Sequence, residues 1–164
     1  MLLYLDFDGV RHPDEVYIVK GKIVLKAEGE LFMWANRLVE ALANRSDVQI
    51  VLSTSWVREV GFLKAKAALP ETILERVIGS TFHTRMASGW HSDSSDNWRG
   101  KTRYQQITSD LRRRATGQKW VAIDDDMEGW ASSARGNLVQ TDPAQGLGDE
   151  ATFARLVALL EVHR

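Results

Sequence analysis

The stretch Leu2-Leu3-Tyr4-Leu5-Asp6-Phe7-Asp8-Gly9-Val10 decides the fold of this 164-residue chain. Its first part is an apolar run, which predicts a buried strand. If the strand continued, Asp6 and Asp8 would point to opposite faces of a sheet. Gly9 favours a turn instead, because glycine lets the backbone curl until both carboxylates reach one site. Since open α/β sheets bind ligands at the carboxyl ends of their strands, we expect a functional site here.

The same residues could form an ordinary acidic turn, because Asp and Gly are common turn residues. A second acidic cluster favours a functional site. Trp120-Val121-Ala122-Ile123 predicts another strand and leads directly into Asp124-Asp125-Asp126. Three consecutive carboxylates repel one another, and a divalent cation is the simplest way to hold them together. Ligands that are all oxygen atoms indicate a hard cation, and Mg²⁺ is the one we expect.

Predicted strands and helices alternate along the chain, which indicates a mainly parallel sheet with helices on both faces. The predicted strands are Leu2–Phe7, Gln49–Leu52, Val77–Phe82, Trp120–Ile123 and Asn137–Gln140. The predicted helices are Glu30–Asn44, Arg58–Ala68, Thr102–Ala115 and Thr152–Glu161. A β-hairpin is predicted at Val16–Val19 and Ile23–Leu25, around Lys20-Gly21-Lys22. Residues 88–100 predict a long polar loop, and the length fits one domain over residues 1–164.

The composition excludes several classes of protein. The formal net charge is −1, so no strong overall field favours nucleic acid or membrane. The absence of cysteine excludes disulfide-linked partners and thiolate metal sites, and it fits a reducing, cytoplasmic location. The start of the chain lacks the basic region of a signal peptide. No apolar run approaches the ~20 residues that span a bilayer, so we expect no membrane partner.

Four ordered motifs resemble those of the haloacid dehalogenase-like (HAD) superfamily of phosphohydrolases, and they cover most of the chain. Asp6-Phe7-Asp8-Gly9-Val10 is similar to the first motif, and Ser53, after an apolar strand, is similar to the second. A basic residue in the segment Lys101 to Arg103 is similar to the third. Ile123-Asp124-Asp125 is similar to the paired-Asp form of the fourth.

A finer resemblance is to the small HAD domain of bacterial Swiss Army knife RNA-repair proteins. Leu52-Ser53-Thr54-Ser55-Trp56 followed by Arg58 resembles the second motif of that group. Ile123-Asp124-Asp125-Asp126 followed by Trp130 also resembles its fourth motif. The resemblance implies a three-layer αβα Rossmann-like fold with a β-hairpin flap, no large cap domain, and phosphatase activity that depends on Mg²⁺.

The resemblance also implies roles for individual residues. Asp6 would attack phosphorus to form an aspartyl-phosphate, and Asp8 would move protons as acid and then base. The implied metal ligands are Asp6, the main-chain carbonyl of Asp8 and Asp125, with Asp124 in support or bound through water. Either Lys101 or Arg103 would hold phosphate, since positions two apart on a helix point about 200° apart. The candidate substrate-binding residues are Gly9, His12, Ser53, Thr54 and Arg58.

The short gaps between the motifs predict an open site, which would admit a small metabolite, a nucleotide or a nucleic-acid end that carries a phosphate. Residues 88–100 could act as a partial lid. Trp56, Trp90 and Trp98, in predicted loops or helix starts, could stack on a base or pack in the core. The alternative to an enzyme is a phosphate- or partner-binding HAD-like module with weak catalysis. Asp8 favours the enzyme, because a binding module does not need it.

Overall fold

A parallel sheet forms the centre of the fold, and the structure is a computed structural model that describes residues 1–20, 22–83, 98–115 and 117–163. The strands of the sheet are β1 (Leu2–Leu5), β4 (Gln49–Leu52), β5 (Val77–Ser80), β6 (Trp120–Asp124) and β7 (Leu138–Gln140). They lie in the order β5-β4-β1-β6-β7, and every neighbouring pair is parallel. The predicted parallel sheet is thus confirmed, and β1 is its central strand.

Both faces of this sheet are covered by helices, which explains why β1 is apolar at every position. Side chains alternate between the faces of a strand. The odd-numbered side chains of β1 pack into a core with α1 (Ala35–Leu42) and α6 (Glu150–Val162). The even-numbered ones pack into a second core with α5 (Arg103–Arg114). The expected three-layer α/β/α arrangement is confirmed.

A separate β-hairpin follows β1 in the chain. Strands β2 (Val16–Val19) and β3 (Lys22–Leu25) pair antiparallel, with Val16 opposite Leu25. The predicted hairpin is confirmed, although Gly21 at its predicted turn lies outside the described residues. In the described residues between β1 and β4, the hairpin and α1 are the regular elements. None of the described helices is long and apolar enough to span a bilayer.

The single helix predicted at Arg58–Ala68 is wrong, because two short helices occupy this region. They are α2 (Trp56–Val60) and α3 (Phe62–Ala67), which Gly61 separates with a φ of 91°. Glycine adopts this conformation without the steric penalty of a side chain. A further short helix that the sequence pattern did not indicate, α4 (Glu71–Leu74), follows next.

The helix predicted at Glu30–Asn44 is correct in place but wrong at its start, since α1 begins at Ala35. Phe32 has a φ of 65°, which lies outside the helical region. Its ring packs edge-on against the rings of His12 and Trp56, with centroids 4.9 and 5.2 Å away. The position of this ring near the end of β1 therefore outweighs local helix propensity.

The first strand also ends earlier than predicted, at Leu5 rather than Phe7. The backbone turns directly after it, because the N–H groups of Val10 and Arg11 both donate to the carbonyl of Phe7, at 3.2 and 2.8 Å. Similarly, β5 ends at Ser80 rather than Phe82. Residues 88–97 of the predicted polar loop lie outside the described residues.

Candidate active site

Acidic side chains from β1 and β6 meet at the carboxyl edge of the sheet. Strand order reverses at β1, since β4 and β5 lie on one side and β6 and β7 on the other. Leu5 pairs with Ile123, so Asp6 and Asp124 follow side by side on neighbouring strands. One oxygen atom from each of Asp6, Asp124 and Asp125 lies within 4.8 Å of the others. Such a switch point is where open α/β sheets bind ligands.

Arg103 is a cation that faces these carboxylates. Its Nη2 lies 3.0 Å from Asp6 Oδ2, and its Nε lies 2.9 Å from Asp124 Oδ2 without the alignment of a hydrogen bond. Arg103 is the first residue of α5, and Thr102 caps this helix. The Thr102 hydroxyl accepts from the Gln105 N–H, while the Gln105 side chain accepts from the Thr102 N–H. This reciprocal cap fixes the helix start, and with it the direction of Arg103.

Burial makes the charged forms of the clustered carboxylates costly. Burial raises the pKa of Asp6 to about 6; Arg103 opposes the rise and Asp8 adds to it. Burial, with help from Asp6, raises the pKa of Asp125 to about 7 and also raises the pKa of Asp124. Burial by itself lowers the pKa of Arg103, but Asp6 and Asp124 attract its charge and leave the pKa raised. One guanidinium therefore does not compensate for all these carboxylates.

Asp8 is held by side chains from two other parts of the chain. Its Oδ1 accepts hydrogen bonds from Trp56 Nε1 at 2.8 Å and from His12 Nε2 at 3.0 Å. Its Oδ2 lies 3.5 Å from Ser55 Oγ. A deprotonated carboxylate only accepts, so His12 donates from Nε2 when Asp8 is charged. Trp56 and His12 are buried, whereas the Asp8 side chain is 19% exposed. Asp8 is thus oriented by buried donors and still reaches solvent.

Gly9 allows the two acidic segments to approach each other. Its φ is 65°, and a Cβ atom at this position would lie only 2.7 Å from Cγ of Asp125. Its carbonyl accepts a hydrogen bond from the Thr141 hydroxyl at 2.7 Å, which ties the turn to the end of β7. Glycine at this position therefore allows the backbone to turn and leaves room for the side chain of Asp125.

A comparison of the chain with protein-family models indicates its family. The model described as the HAD domain in Swiss Army Knife RNA repair proteins matches residues 2–152. The chain belongs to this family. Searches of curated proteins and of solved structures found no significant match. The family assignment inferred from the sequence motifs is confirmed, and the matched range includes both acidic clusters, Ser53 and Arg103.

In this HAD domain, Ser53 and Thr54 lie at the end of β4, beside β1. The Ser53 N–H donates to the Leu5 carbonyl at 2.8 Å, so the sheet pairing continues to this point. Ser53 Oγ is buried and has no hydrogen-bond partner among the described residues. Thr54 is buried too, and its hydroxyl hydrogen bond to Asp6 lowers the pKa of that carboxyl. The hydroxyl of Ser53 is therefore buried without a partner among the described residues, and that of Thr54 supports Asp6.

Lys101 and Arg103 have different surroundings. Lys101 Nζ lies 3.5 Å from Ser109 Oγ, whereas Arg103 reaches the carboxylates. Both border a cleft of about 320 Å³ on the α5 side of the site. The lining residues are Trp98, Gly100, Lys101, Thr102, Arg103, Gln106, Asp126 and Glu128. A phosphorylated molecule in this cleft would meet both cations.

Two of the tryptophans whose role the sequence left open, Trp56 and Trp98, belong to the core. Trp56 is only 7% exposed and Trp98 only 9%, so neither offers a face on which a base could stack. Trp90 lies outside the described residues. Arg58 forms an ion pair with Glu59, and its guanidinium lies 5.4 Å from the centroid of the Trp98 ring. A part for Arg58 in substrate binding stays a prediction.

Sequence reasoning missed two features of the HAD domain. The sequence pattern did not predict that Trp56 donates a hydrogen bond to Asp8. The feature that could have indicated it is the position of Trp56 shortly after β4, the strand that pairs with β1. Arg11 was also missed, although it directly follows the first motif. It is fully buried between the rings of Phe7 and Phe32, 4.6 and 4.5 Å from their centroids, and Nη2 donates to the Ala68 carbonyl at 2.8 Å. Burial lowers its pKa to about 9.

Proposed function

We propose that this HAD domain is a Mg²⁺-dependent phosphomonoester hydrolase that works through an aspartyl-phosphate intermediate. The observation that carries the proposal is the placement of Asp6 in a buried carboxylate cluster, next to an Asp8 that buried donors orient. Asp6, in the buried carboxylate cluster, is suited to act as the nucleophile. Asp8, which reaches solvent, is suited to carry protons to and from the reacting groups. Membership of the HAD family agrees with this chemistry.

The residues of the cluster fit a hard divalent cation. All candidate ligand atoms are oxygen, and burial first, then neighbouring carboxylates, raise the pKa values of Asp6 and Asp125, so a cation would stabilise their charged forms. Asp6, Asp125 and the main-chain carbonyl of Asp8 would hold Mg²⁺, and Asp124 would support them. When bound, the ion would neutralise charge on the phosphate oxygens.

The first half of the reaction is the transfer of the phosphoryl group to Asp6. A carboxylate oxygen of Asp6 forms a bond to phosphorus as the bond from phosphorus to the leaving oxygen breaks. Asp8 gives its proton to that leaving oxygen, so the alcohol departs neutral. The hydrogen bond from the Phe7 N–H to Asp6 Oδ1, at 2.7 Å, fixes the orientation of the nucleophile.

The second half is hydrolysis of the intermediate. Asp8, now deprotonated, takes a proton from a water molecule whose oxygen attacks phosphorus, and the bond from Asp6 to phosphorus breaks. Inorganic phosphate leaves, and both carboxyls return to their starting states. We assign Arg103 and the Ser53 hydroxyl to the phosphate oxygens. Lys101, on the adjoining cleft, is the second candidate cation.

Phosphates at nucleic-acid or nucleotide ends are the substrates we propose. The family description concerns RNA repair, which supports an end of this kind. The exposed part of Asp8 supports it too, because the leaving oxygen of a large molecule can reach the acid from solvent. A substrate of this class needs no enclosed pocket.

The test is hydrolysis of para-nitrophenyl phosphate with Mg²⁺ by the wild type and by Asp6→Asn. We expect turnover by the wild type, loss of turnover in EDTA with recovery on adding Mg²⁺, and none by a folded Asp6→Asn protein. The near-isosteric amide keeps the shape of the site and removes the nucleophile. Full activity in folded Asp6→Asn would refute the nucleophile, and phosphate binding without turnover by the wild type would favour a binding module.

A further inference from the structure

One face of the β-hairpin carries exposed apolar side chains and lysines. Side chains alternate between the faces of a two-stranded sheet. On the inner face, Val16 and Ile23 pack against the core cluster, whereas Ile18 is 51% exposed. The pairing of Lys26 N–H with the Glu15 carbonyl, at 2.8 Å, continues the ladder beyond β3. The outer face is exposed throughout, and its side chains are Glu15, Tyr17, Val19, Lys22, Val24 and Lys26.

The exposed apolar side chains set this face apart from an ordinary solvated strand. Antiparallel sheets usually place polar side chains on the side that faces water. Here Tyr17 is 48% exposed, Val19 43% and Val24 38%. Tyr17 and Val24 are directly opposite each other, so they form one continuous apolar surface. Adjacent exposed apolar side chains make this face a candidate binding surface.

The hairpin carries a net positive charge. Residues 15–26 contain three basic residues, Lys20, Lys22 and Lys26, and one acidic residue, Glu15, whose backbone pairs with that of Lys26. The Nζ atom of Lys26 lies 4.4 Å from the centroid of the Tyr17 ring, so the cation and the aromatic face are adjacent. In the described part of the chain, none of these lysines forms an ion pair. The complementary ligand is therefore anionic and also carries flat apolar groups.

The hairpin begins beside the active site. Asp14 lies two residues before β2 and two residues after His12, whose Nε2 is 3.0 Å from Asp8 Oδ1. The Asp14 N–H donates to the Pro143 carbonyl at 2.9 Å, which fixes the base of the hairpin near the end of β7. The base of the hairpin therefore lies next to the active site.

We propose that the outer face of the hairpin binds the single-stranded polynucleotide whose terminal phosphate the active site hydrolyses. Tyr17, with Val24 beside it, accepts a base by stacking, and the lysines bind backbone phosphates. The inference rests on the proposed function, and it places base contacts on the hairpin rather than on Trp56 or Trp98. The near-neutral total charge is no obstacle, because the lysines act locally.

The test compares Tyr17→Ala/Lys22→Gln with a matched surface variant, Leu63→Ala/Lys64→Gln on α3. Leu63 is 79% exposed, so the control also removes one exposed apolar side chain and one lysine. Binding of a labelled oligouridylate of about ten nucleotides with a 3′-phosphate is measured by fluorescence anisotropy, with Asp6→Asn in every protein to prevent turnover. We expect about a tenfold loss of affinity in the hairpin variant and none in the control.

Salt and substrate length provide two independent readouts. The slope of log affinity against log salt should become shallower by roughly 0.7 when Lys22 is removed. With Asp6 intact, kcat/KM for the oligonucleotide should fall in the hairpin variant, while kcat/KM for the matching mononucleotide stays unchanged. Unfolding curves check that both variants fold.

The outcomes separate this inference from the proposed function. Equal oligonucleotide affinity in the parent and the hairpin variant, or no binding by the parent, would overturn the inference. Self-association of the parent that the hairpin variant loses, with unchanged oligonucleotide binding, would overturn it in favour of a protein interface. Binding that depends on the hairpin, together with no hydrolysis of either substrate by the wild type, would refute the proposed function and support the binding surface.

Discussion

At the scale of single residues, the hydrogen bond from Trp56 to Asp8 has a measurable consequence. Trp56→Phe keeps an aromatic ring in the core and removes the Nε1 donor that lies 2.8 Å from Asp8. We expect about a tenfold slower first turnover with an alkyl phosphate, as for one hydrogen bond to a charged group. The first turnover of para-nitrophenyl phosphate should change much less, because its leaving group needs no proton. Rapid-quench kinetics measures both.

Trp120→Phe is the matched control for this substitution. Trp120 packs against Tyr4 in the other core cluster, so the change removes the same atoms away from Asp8. It should leave both first turnovers unchanged. An equal loss for the two substrates in Trp56→Phe would contradict a positioning role and would indicate general damage to the fold.

Gly9 provides a second prediction at this scale. Gly9→Ala places a Cβ atom 2.7 Å from Cγ of Asp125 and also strains a backbone with φ of 65°. Gly117→Ala introduces the same strain, at φ of 61°, with no atom within 4 Å of the new Cβ. We expect each to lose about 1–2 kcal/mol of unfolding free energy from strain. Only Gly9→Ala should also weaken Mg²⁺ binding, which isothermal titration calorimetry measures; equal Mg²⁺ affinity in both variants would show that Asp125 tolerates the contact.

At the scale of elements, the start of α5 couples helix stability to the site. Thr102→Ala removes the cap that accepts from the Gln105 N–H, which should cost about 1 kcal/mol of unfolding free energy. Because Arg103 is the next residue, a frayed helix start should also lower kcat/KM. Thr102→Ser keeps the capping hydroxyl and should retain stability and activity. Denaturant unfolding and steady-state kinetics measure these effects, and full activity in a destabilised Thr102→Ala protein would uncouple the cap from Arg103.

The position of the α5 start next to the carboxylates also explains why a basic residue is stable there. The N-terminus of a helix carries partial positive charge, so a cation at its first position is unfavourable by itself. Asp6 and Asp124 lie against the Arg103 guanidinium and offset this repulsion. Helix start, arginine and carboxylates therefore depend on one another, although they come from three separate segments.

At the scale of the whole molecule, the buried carboxylates predict how stability depends on pH. The folded-state pKa is about 6 for Asp6 and about 7 for Asp125, above the ordinary value of an unfolded chain. Between the ordinary carboxylate pKa and these raised pKa values, the folded state therefore binds more protons than the unfolded chain, so the free energy of unfolding falls as pH rises. In EDTA, we expect Tm to fall between about pH 5 and pH 8, where ordinary carboxylates no longer titrate.

Mg²⁺ should reverse part of this trend, because it binds the deprotonated carboxylates of the native state. The rise in Tm on adding Mg²⁺ should be larger at about pH 8 than at about pH 5. Asp125→Asn removes one titrating group and should reduce both the fall in EDTA and the gain from Mg²⁺. A Tm in EDTA that increases steadily over this range would contradict the raised pKa values.

Local patterns in the sequence were sufficient for the sheet and for the motif positions. An apolar run followed by Asp-x-Asp-Gly determines a strand and a turn through its own residues, and the same holds for the run before Asp124. The helices were harder, because Phe32 and Gly61 interrupt predicted helices for reasons of packing and backbone conformation. A ring that packs 4.9 Å from His12 leaves no periodic signal in its own segment.

The sequence by itself therefore determined the family, the parallel α/β fold and the two acidic clusters, because these follow from local periodicity and turn chemistry. Only the tertiary structure decided that Arg103 contacts Asp6, 97 residues away, while Lys101 lies toward Ser109. It also decided that Trp56 orients Asp8, and that Tyr17, not Trp56 or Trp98, offers an exposed aromatic face. The physical reason is that these contacts depend on how helices and strands pack across the sheet, which no single segment specifies.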